Sequence, residues 1–503
     1  MTKEVLGTVV STIEGPSPSR VDFVVNKGKA HKGMFVELSY SEGTMIAMVD
    51  ELIKTNRYFE RPDSVKTIGE ELEKNFPAAD WEFLIAKAKP LGVFTDKLIQ
   101  RSTFPPSPGA KVYVADDEHI KKFLKLDENG MNLGQIQFHD VLMKPNLSKL
   151  LQKHLAILAM SGAGKSYCVS VLLEELLSRT DEQGQIAVIA FDTHGEYTCF
   201  GEPTKTHTDF SHKTRVIDAR NIKLSLAKIP RYLLDKFLSN LTPVQKRELF
   251  RIISKLSQEM KSGVGPFNIN AIRSEVKELE PKLATAINFA LDDLEKLNLF
   301  GKIDDPSVLE IAKPGQLTVI DLNGLISQKK KQLIVAYFSE KLFNARRQMR
   351  VPPFALLVEE AHNFIPESTA AEHALAKSTL RTIAREGRKF CASLILISQR
   401  PKRLDVTTLA NCNTNIILRI TNPNDLDHIK QSSEGVDSNS SSMISSLRVG
   451  EAMIMGEAVS APTFFKVRER TSAPSKHETT LEESAKKFAS NKEKQDDEIA
   501  AFL

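Results

Sequence analysis

The chain runs to 503 residues, 41% hydrophobic and 26% charged, the make-up of an ordinary soluble globular protein with room for about two to four domains. Its 68 basic and 64 acidic side chains leave a net charge of +4, too little to advertise nucleic acid by itself, so any nucleic-acid surface has to be local. The cysteines Cys168, Cys199, Cys391 and Cys412 lack paired spacing, no apolar run reaches the length of a membrane span, and the start MTKEVLGTVV has no signal-peptide core; these features argue against a disulfide framework and predict a cytoplasmic protein with no membrane partner.

Over the first 115 or so residues the short alternating runs VLGTVVSTI, VDFVVNKG, GMFVELSY, TMIAMVD and AKVYVAD are punctuated by Gly, Pro and Ser. They predict a small antiparallel β-barrel, interrupted by a helical piece near SVKTIGEELEKNF. From about residue 150 the pattern becomes α/β: apolar, β-branched runs (HLAILAM, IAVIAFD, TRVID, LTVIDL, FALLVE, SLILISQ, NIILRI) separated by helix-length segments. Such alternation predicts a mostly parallel sheet covered on both faces. Residues 222–310 carry amphipathic segments such as VQKRELFRIISKLSQEM and predict an all-helical insertion between two strands. After SAPSKH, Thr480 and Glu483 form a capping box opening a helix with Leu481, Ala485 and Phe488 at helical spacing. That last stretch is too polar to fold alone and is expected to lie as an arm on this or a neighbouring subunit. The expected division is a barrel over 1–140, an α/β domain over 141–471 and a C-terminal arm over 472–503.

The chemistry begins at residues 159–166, AMSGAGKS, between an apolar strand and a helix. This is the phosphate-loop signature with Ala159 where Gly is commoner. Backbone N–H groups of Ser161, Gly162, Ala163, Gly164 and the helix start at Tyr167 would cradle phosphates, Lys165 would sit between the outer ones, and the Ser166 hydroxyl would ligate Mg²⁺. The run FALLVEEAH ends a strand in two carboxylates. Glu359 is placed toward the Mg²⁺ shell and Glu360 toward the attacking water, a role a small-molecule kinase has no use for. Gln399, at the end of SLILIS, is a candidate for sensing the γ-phosphate or holding the water, and Asp192 in FDTHGEY for a supporting carboxylate on the same sheet edge. In STLRTIAREGRKF, a helix would line up Arg381, Arg385 and Arg388 at i, i+4 and i+7 as candidates for an arginine finger offered to a neighbouring subunit.

Together AMSGAGKS, FDTHGEY, LLVEEAHNFIP, IAREGRKF, LILISQRP, ILRITNPND and VGEAMIMGEA resemble the archaeal HerA family, in the HerA and FtsK group of hexameric DNA-pumping ATPases. The resemblance runs over nearly the whole chain. It implies a RecA-like phosphate-loop motor domain with a helical insertion, a homohexameric ring around double-stranded DNA, and a NurA-type nuclease partner docking on the barrel side in DNA end resection. Ala159 and Glu359 stand where that family more often has Gly and Asp, and Lys153 matches a basic position that reaches bound nucleotide.

The reading is therefore an ATP-driven, Mg²⁺-dependent translocase of double-stranded DNA whose grip is on phosphates rather than base edges. Lys402 and Arg403, and the run Lys329, Lys330 and Lys331, are the candidate DNA contacts. Two rivals remain: a translocase of protein or single strands on the same engine, and a nucleotide-gated ring scaffold for a nuclease.

Overall fold

The computed structural model describes residues 5–11, 15–26, 30–56, 82–95, 98–368, 374–432, 438–475 and, further on, 481, 482, 484–486 and 488. They divide into two compact units: Met1–Leu150 with Thr414–Arg468, and Leu151–Asn413 with Glu469–Leu503.

In the first unit the expected barrel is present as a seven-stranded antiparallel sheet. Its order is Val21–Val25, Val5–Val9, Lys111–Val114, Phe35–Tyr40, Gly43–Asn56, Glu82–Phe94 and Ile99–Gln100. Val21–Val25 also pairs with Glu82–Phe94, closing the sheet and removing the open edges at those strands. Alternate residues point inward, so Phe23, Val36, Leu38, Met45, Ala47, Val49, Ala86 and Val112 share one core. The strand Glu82–Phe94 escaped the sequence reading, although it pairs along nearly its whole length with Gly43–Asn56. The helical piece expected near residues 64–76 lies outside the described residues.

Further strands of this unit run antiparallel in the order Thr414–Leu418, Glu451–Gly456, Thr463–Val467, Gly134–Ile136 and Leu142–Met143. Residues 414–468 thus group with the N-terminal unit. The physical reason is strand pairing across sequence: Phe465 lies opposite Ile136, and Arg468 Nε donates to the Asn132 carbonyl at 3.0 Å.

The second unit is built on parallel strands in the order Thr214–Asp218, Leu317–Asp321, Ala187–Asp192, Phe354–Val358, Ala392–Ser398 and Leu155–Leu158. The middle strands are buried along their length, which is why they read as continuous apolar runs. The helices Lys165–Ser178 and Gln328–Arg347 carry long runs of buried residues, and Lys377–Glu386 buries one face. Parallel strands bring all their carboxyl ends to one edge, the usual place for a ligand in such sheets.

The insertion carries the helices Arg231–Phe237, Pro243–Lys261, Ile269–Val276 and Pro281–Lys296. Thr242 and Gln245 make a reciprocal capping box at the start of the longest, and Arg273 bridges Asp292 at 2.5 Å and Glu295 at 2.7 Å. It is not all-helical: Leu224–Ser225 and Phe300–Gly301 pair in parallel at its base. Asp304 ties this neck down, accepting from Ser225 N at 2.8 Å, Tyr337 Oη at 2.7 Å and Lys228 Nζ at 3.1 Å.

The capping box expected at Thr480 and Glu483 lies outside the described residues, while Leu481 and Phe488 are exposed. No helix among the described residues is long and apolar enough to cross a membrane.

Candidate active site

The buried strand Leu155–Leu158 enters the loop and the helix Lys165–Ser178 leaves it. Gly164 caps that helix at φ 94° and Gly162 stands at φ 75°, left-handed values that a side chain would strain. Ala159 is buried and outside that region, so the missing glycine costs the turn nothing. Ser161 and Gly162 are open to solvent, whereas Lys165 is buried. Lys153 precedes the strand, half-buried, its carbonyl accepting from Asn413 N at 2.9 Å.

Lys165 Nζ lies 3.2 Å from Glu360 Oε1, 3.4 Å from Glu359 Oε1 and 4.0 Å from Glu196 Oε2. Consecutive residues of an extended strand point to opposite faces, so two adjacent acids reach one ammonium only if the chain turns. It does: Glu360 stands at φ 48°, ψ 48°, a left-handed conformation that costs a residue other than glycine energy and often marks a working position. Glu360 also meets His362 Nδ1 at 3.3 Å, and that ring nitrogen lies 3.1 Å from Ser398 Oγ. Burial lowers the His362 pKa against the pull of Glu360, helped by Arg400 and Arg403. His362 therefore links the carboxylate-bearing tip of Phe354–Val358 to Ser398 at the end of Ala392–Ser398 as a hydrogen bonder.

Glu359 is fully buried and accepts from Thr193 N and Oγ1, each at 2.8 Å, and from His194 N at 3.2 Å. Burial alone would push its pKa up, but the hydrogen bond from His194 and the Lys165 charge hold it below the usual carboxylate range. Asp192 organises the turn after its strand, accepting from the N–H groups of His194, Gly195, Glu196 and Tyr197. Burial and the nearby Glu359 push Asp192 up to about 8 against those donors. Of the two acids Glu359, next to Lys165, keeps the charge.

The carboxylates of Glu359 and Glu360 and the Ser166 hydroxyl form the oxygen-rich donor set that magnesium prefers, and His194, Glu359 and Glu360 each offer a ligand atom within 4.8 Å of the others. Ser166 Oγ donates to Glu196 Oε2 at 2.5 Å, a partner the sequence analysis did not single out. Its signal was the spacing from Asp192, whose capped turn aims Glu196 back at the loop. Gln399 sits half-buried just past the strand Ala392–Ser398.

The arginines do not form the expected stripe. The helix stops at Glu386 and Arg388 falls in a following 3₁₀ turn. Arg381 is held within its own chain by both oxygens of Asp405, which also caps the next helix by accepting from Thr408 N at 2.9 Å. Arg385 and Arg388 are exposed. The lysine run is likewise not a free basic strip: Lys329 donates to the Phe237 carbonyl at 2.9 Å, Lys330 is buried, and burial lowers the Lys331 pKa. Side chains at the start of an amphipathic helix turn to different sides, which the bare run concealed. Lys402 and Arg403 lie exposed on a 3₁₀ turn after Gln399.

A phosphate loop at the carboxyl edge of a parallel sheet, its lysine facing paired acids at the tip of the strand two places away, defines a phosphate-loop nucleotide-binding protein. The solved VirB4 of Thermoanaerobacter pseudethanolicus shares the fold, with a TM-score of 0.51 and 17% identity over 68% of this chain and 97% of that one. Residues 131–342 match the family model described as the central domain of helicase HerA. A protein named a probable helicase from Methanocaldococcus jannaschii is 30% identical, covering 86% of each chain. The DNA double-strand break repair helicase HerA of Saccharolobus solfataricus is 25% identical over 91% of this chain and 92% of its own. The chain belongs to the HerA helicase family.

Proposed function

We propose that the chain is an ATP-driven translocase of double-stranded DNA, working as a homohexameric ring with a NurA-type nuclease in the resection of DNA ends for repair. The observation that carries this reading is the convergence of Lys165 with Glu359 and Glu360 at 3.4 and 3.2 Å. It supports nucleotide hydrolysis because it sets a phosphate-binding cation beside an acid able to accept a proton from water. The names of relatives matched over most of their length, which specify DNA double-strand break repair, support DNA as the substrate.

In this reading Lys165 takes the outer phosphates, and Ser166 and Glu359 hold magnesium. Glu360 polarises the attacking water, and Gln399 positions it. Magnesium supplies charge neutralisation on the transferring phosphoryl. Asp192 keeps the turn carrying His194 and Glu196 fixed beside the loop. Arg385, exposed and clear of the Arg381–Asp405 pair, is the first choice for a finger reaching the next subunit's phosphate.

The deciding measurement is ATP turnover with and without duplex DNA, together with the mass of the particle. Turnover stimulated by duplex DNA in a particle of six chains is expected. Binding to duplex DNA should weaken steeply with salt, since phosphate contacts release counterions and a polypeptide substrate gives no such slope. Turnover indifferent to DNA would overturn the motor reading in favour of a nucleotide-gated scaffold.

A further inference from the structure

A glutamine is seldom buried unless its amide is used on both sides, because an unpaired amide in a core is costly. Gln332, on the helix Gln328–Arg347, is 2% exposed. Its Nε2 donates to the Asn363 carbonyl at 2.5 Å, in the 3₁₀ turn that follows Glu360, and its Oε1 accepts from Ala376 N at 3.1 Å. Ala376 is the N-cap of the helix Lys377–Glu386, where an alanine brings no oxygen of its own. One amide therefore fastens the start of the arginine-bearing helix to the turn beside the proposed base.

A second fastening comes from the helical insertion. Tyr232, in the first turn of Arg231–Phe237, donates its hydroxyl to Glu340, about two turns beyond Gln332 on the same helix, and meets Thr379 Oγ1 at 2.9 Å. Thr379 lies on the buried face of the arginine-bearing helix, and the adjacent Ser378 Oγ accepts from Lys236 Nζ at 3.4 Å. Arg381 is then tied to Asp405, and Arg385, about one turn further on, is exposed. A helix held at its start and along its buried face presents its last turn in one place. A guanidinium that has to reach a phosphate needs that, since about 1 Å of misplacement can cost about a hundredfold in rate.

We propose that Gln332 and Tyr232 are positioning residues for the finger: they set where the helix Lys377–Glu386 presents Arg385 to the neighbouring subunit, and so act on that subunit's site and not on their own. This inference rests on the ATPase reading with its finger between subunits, and through Tyr232 it gives the helical insertion a part in the reaction.

The test is steady-state ATP turnover of the full chain with duplex DNA, in single-variant and mixed rings, with mixing verified by mass. Alone, Gln332→Met should lose turnover about tenfold and Tyr232→Phe about fivefold, with half-saturating ATP within about twofold of the wild type. Mixing either variant with Glu360→Gln creates interfaces that join an intact Glu360 to a well-placed Arg385, so turnover should rise at least about twofold above the average of the two proteins measured apart. Mixing either with Arg385→Ala should give no rise, because no subunit then lends a well-placed finger. The reverse pattern, a rise with Arg385→Ala and none with Glu360→Gln, makes these residues supports of their own subunit's acid and overturns the proposal. A rise with neither partner, while the pair Glu360→Gln and Arg385→Ala does rise, overturns it too, as does wild-type turnover in both variants. If Gln332→Met does not fold, Tyr232→Phe decides alone. If that control pair shows no rise and activity falls linearly as Arg385→Ala subunits are titrated into the wild type, the finger between subunits is refuted and the proposal with it.

Discussion

His154, just before the phosphate-loop strand, stands at φ 63° and is almost fully buried. Its Nδ1 accepts from Leu394 N at 3.0 Å and its Nε2 lies 3.0 Å from the Ala384 carbonyl, which fixes a neutral ring with the proton on Nε2. Burial holds its pKa down at about 4 against an ordinary 6.5. Because the folded value is the lower one, the unfolded chain takes up the proton first as pH falls. The contribution to stability is full above about pH 6.5 and is lost by about pH 4, a swing of roughly 3 kcal/mol. Denaturant midpoints at pH 7.5 and 4.5 should fall steeply for the wild type and less steeply for His154→Asn, whose side chain tolerates the left-handed backbone; equal slopes would remove His154 from the acid sensitivity. Glu360→Gln is expected to bind ATP yet lose turnover by at least about a hundredfold, since an amide cannot help deprotonate water. Near-normal turnover in a steady-state assay would pass that role to another carboxylate. The groups of the candidate site were legible because their spacing after apolar runs is local. The ring of His154 joining three elements, and the left-handed turn at Glu360, were not, because both depend on residues far apart in sequence.

Among the elements, the helix Lys377–Glu386 illustrates how a pattern is cut short. A periodic reading carries its arginines through Arg388, but Gly387 packs so close to the Ala392 carbonyl that a Cβ would collide with it, and the chain tightens into a 3₁₀ turn. Gly387→Ala should therefore cost about 1–3 kcal/mol of stability, as overpacking does, read from the denaturant midpoint. Arg381 and Arg385 should separate by phenotype. Loss of the guanidinium that pairs with both oxygens of Asp405 makes Arg381→Ala the less stable protein, whereas Arg385→Ala should unfold like the wild type. The parallel sheet was legible from its apolar runs, and the barrel from its alternation. The strand Glu82–Phe94 was not: Lys87 and Lys89 do alternate with buried Ala86 and Ala88, but alanine is a weak strand former and Pro90 interrupts the run. Nor was the grouping of residues 414–468 with the N-terminal unit, which no local signal encodes.

At the scale of the whole molecule, the proposed finger between subunits of the proposed ring would make two dead variants informative. Arg385→Ala and Glu360→Gln should each lack ATPase activity alone, yet mixed rings contain interfaces that join an intact Glu360 to an intact Arg385. Some turnover should return on co-assembly, with mixing verified by mass. Recovery of none would assign the arginine to its own subunit or require every site of the ring to be competent. Titrating wild-type subunits with Arg385→Ala subunits separates those two, because independent sites with a residue acting in its own subunit lose activity linearly. The neck of the insertion bears on the same molecule over a longer time. Leu224–Ser225 and Phe300–Gly301 bring both ends of the helical segment to one hydrogen-bonded point. Residues 226–299 therefore start and finish at one place, with Tyr232 and Phe237 also bonded to Thr379 and Lys329, and evolution could lengthen, shorten or exchange the part beyond those contacts, as it does surface loops whose ends meet, while the parallel sheet kept its register.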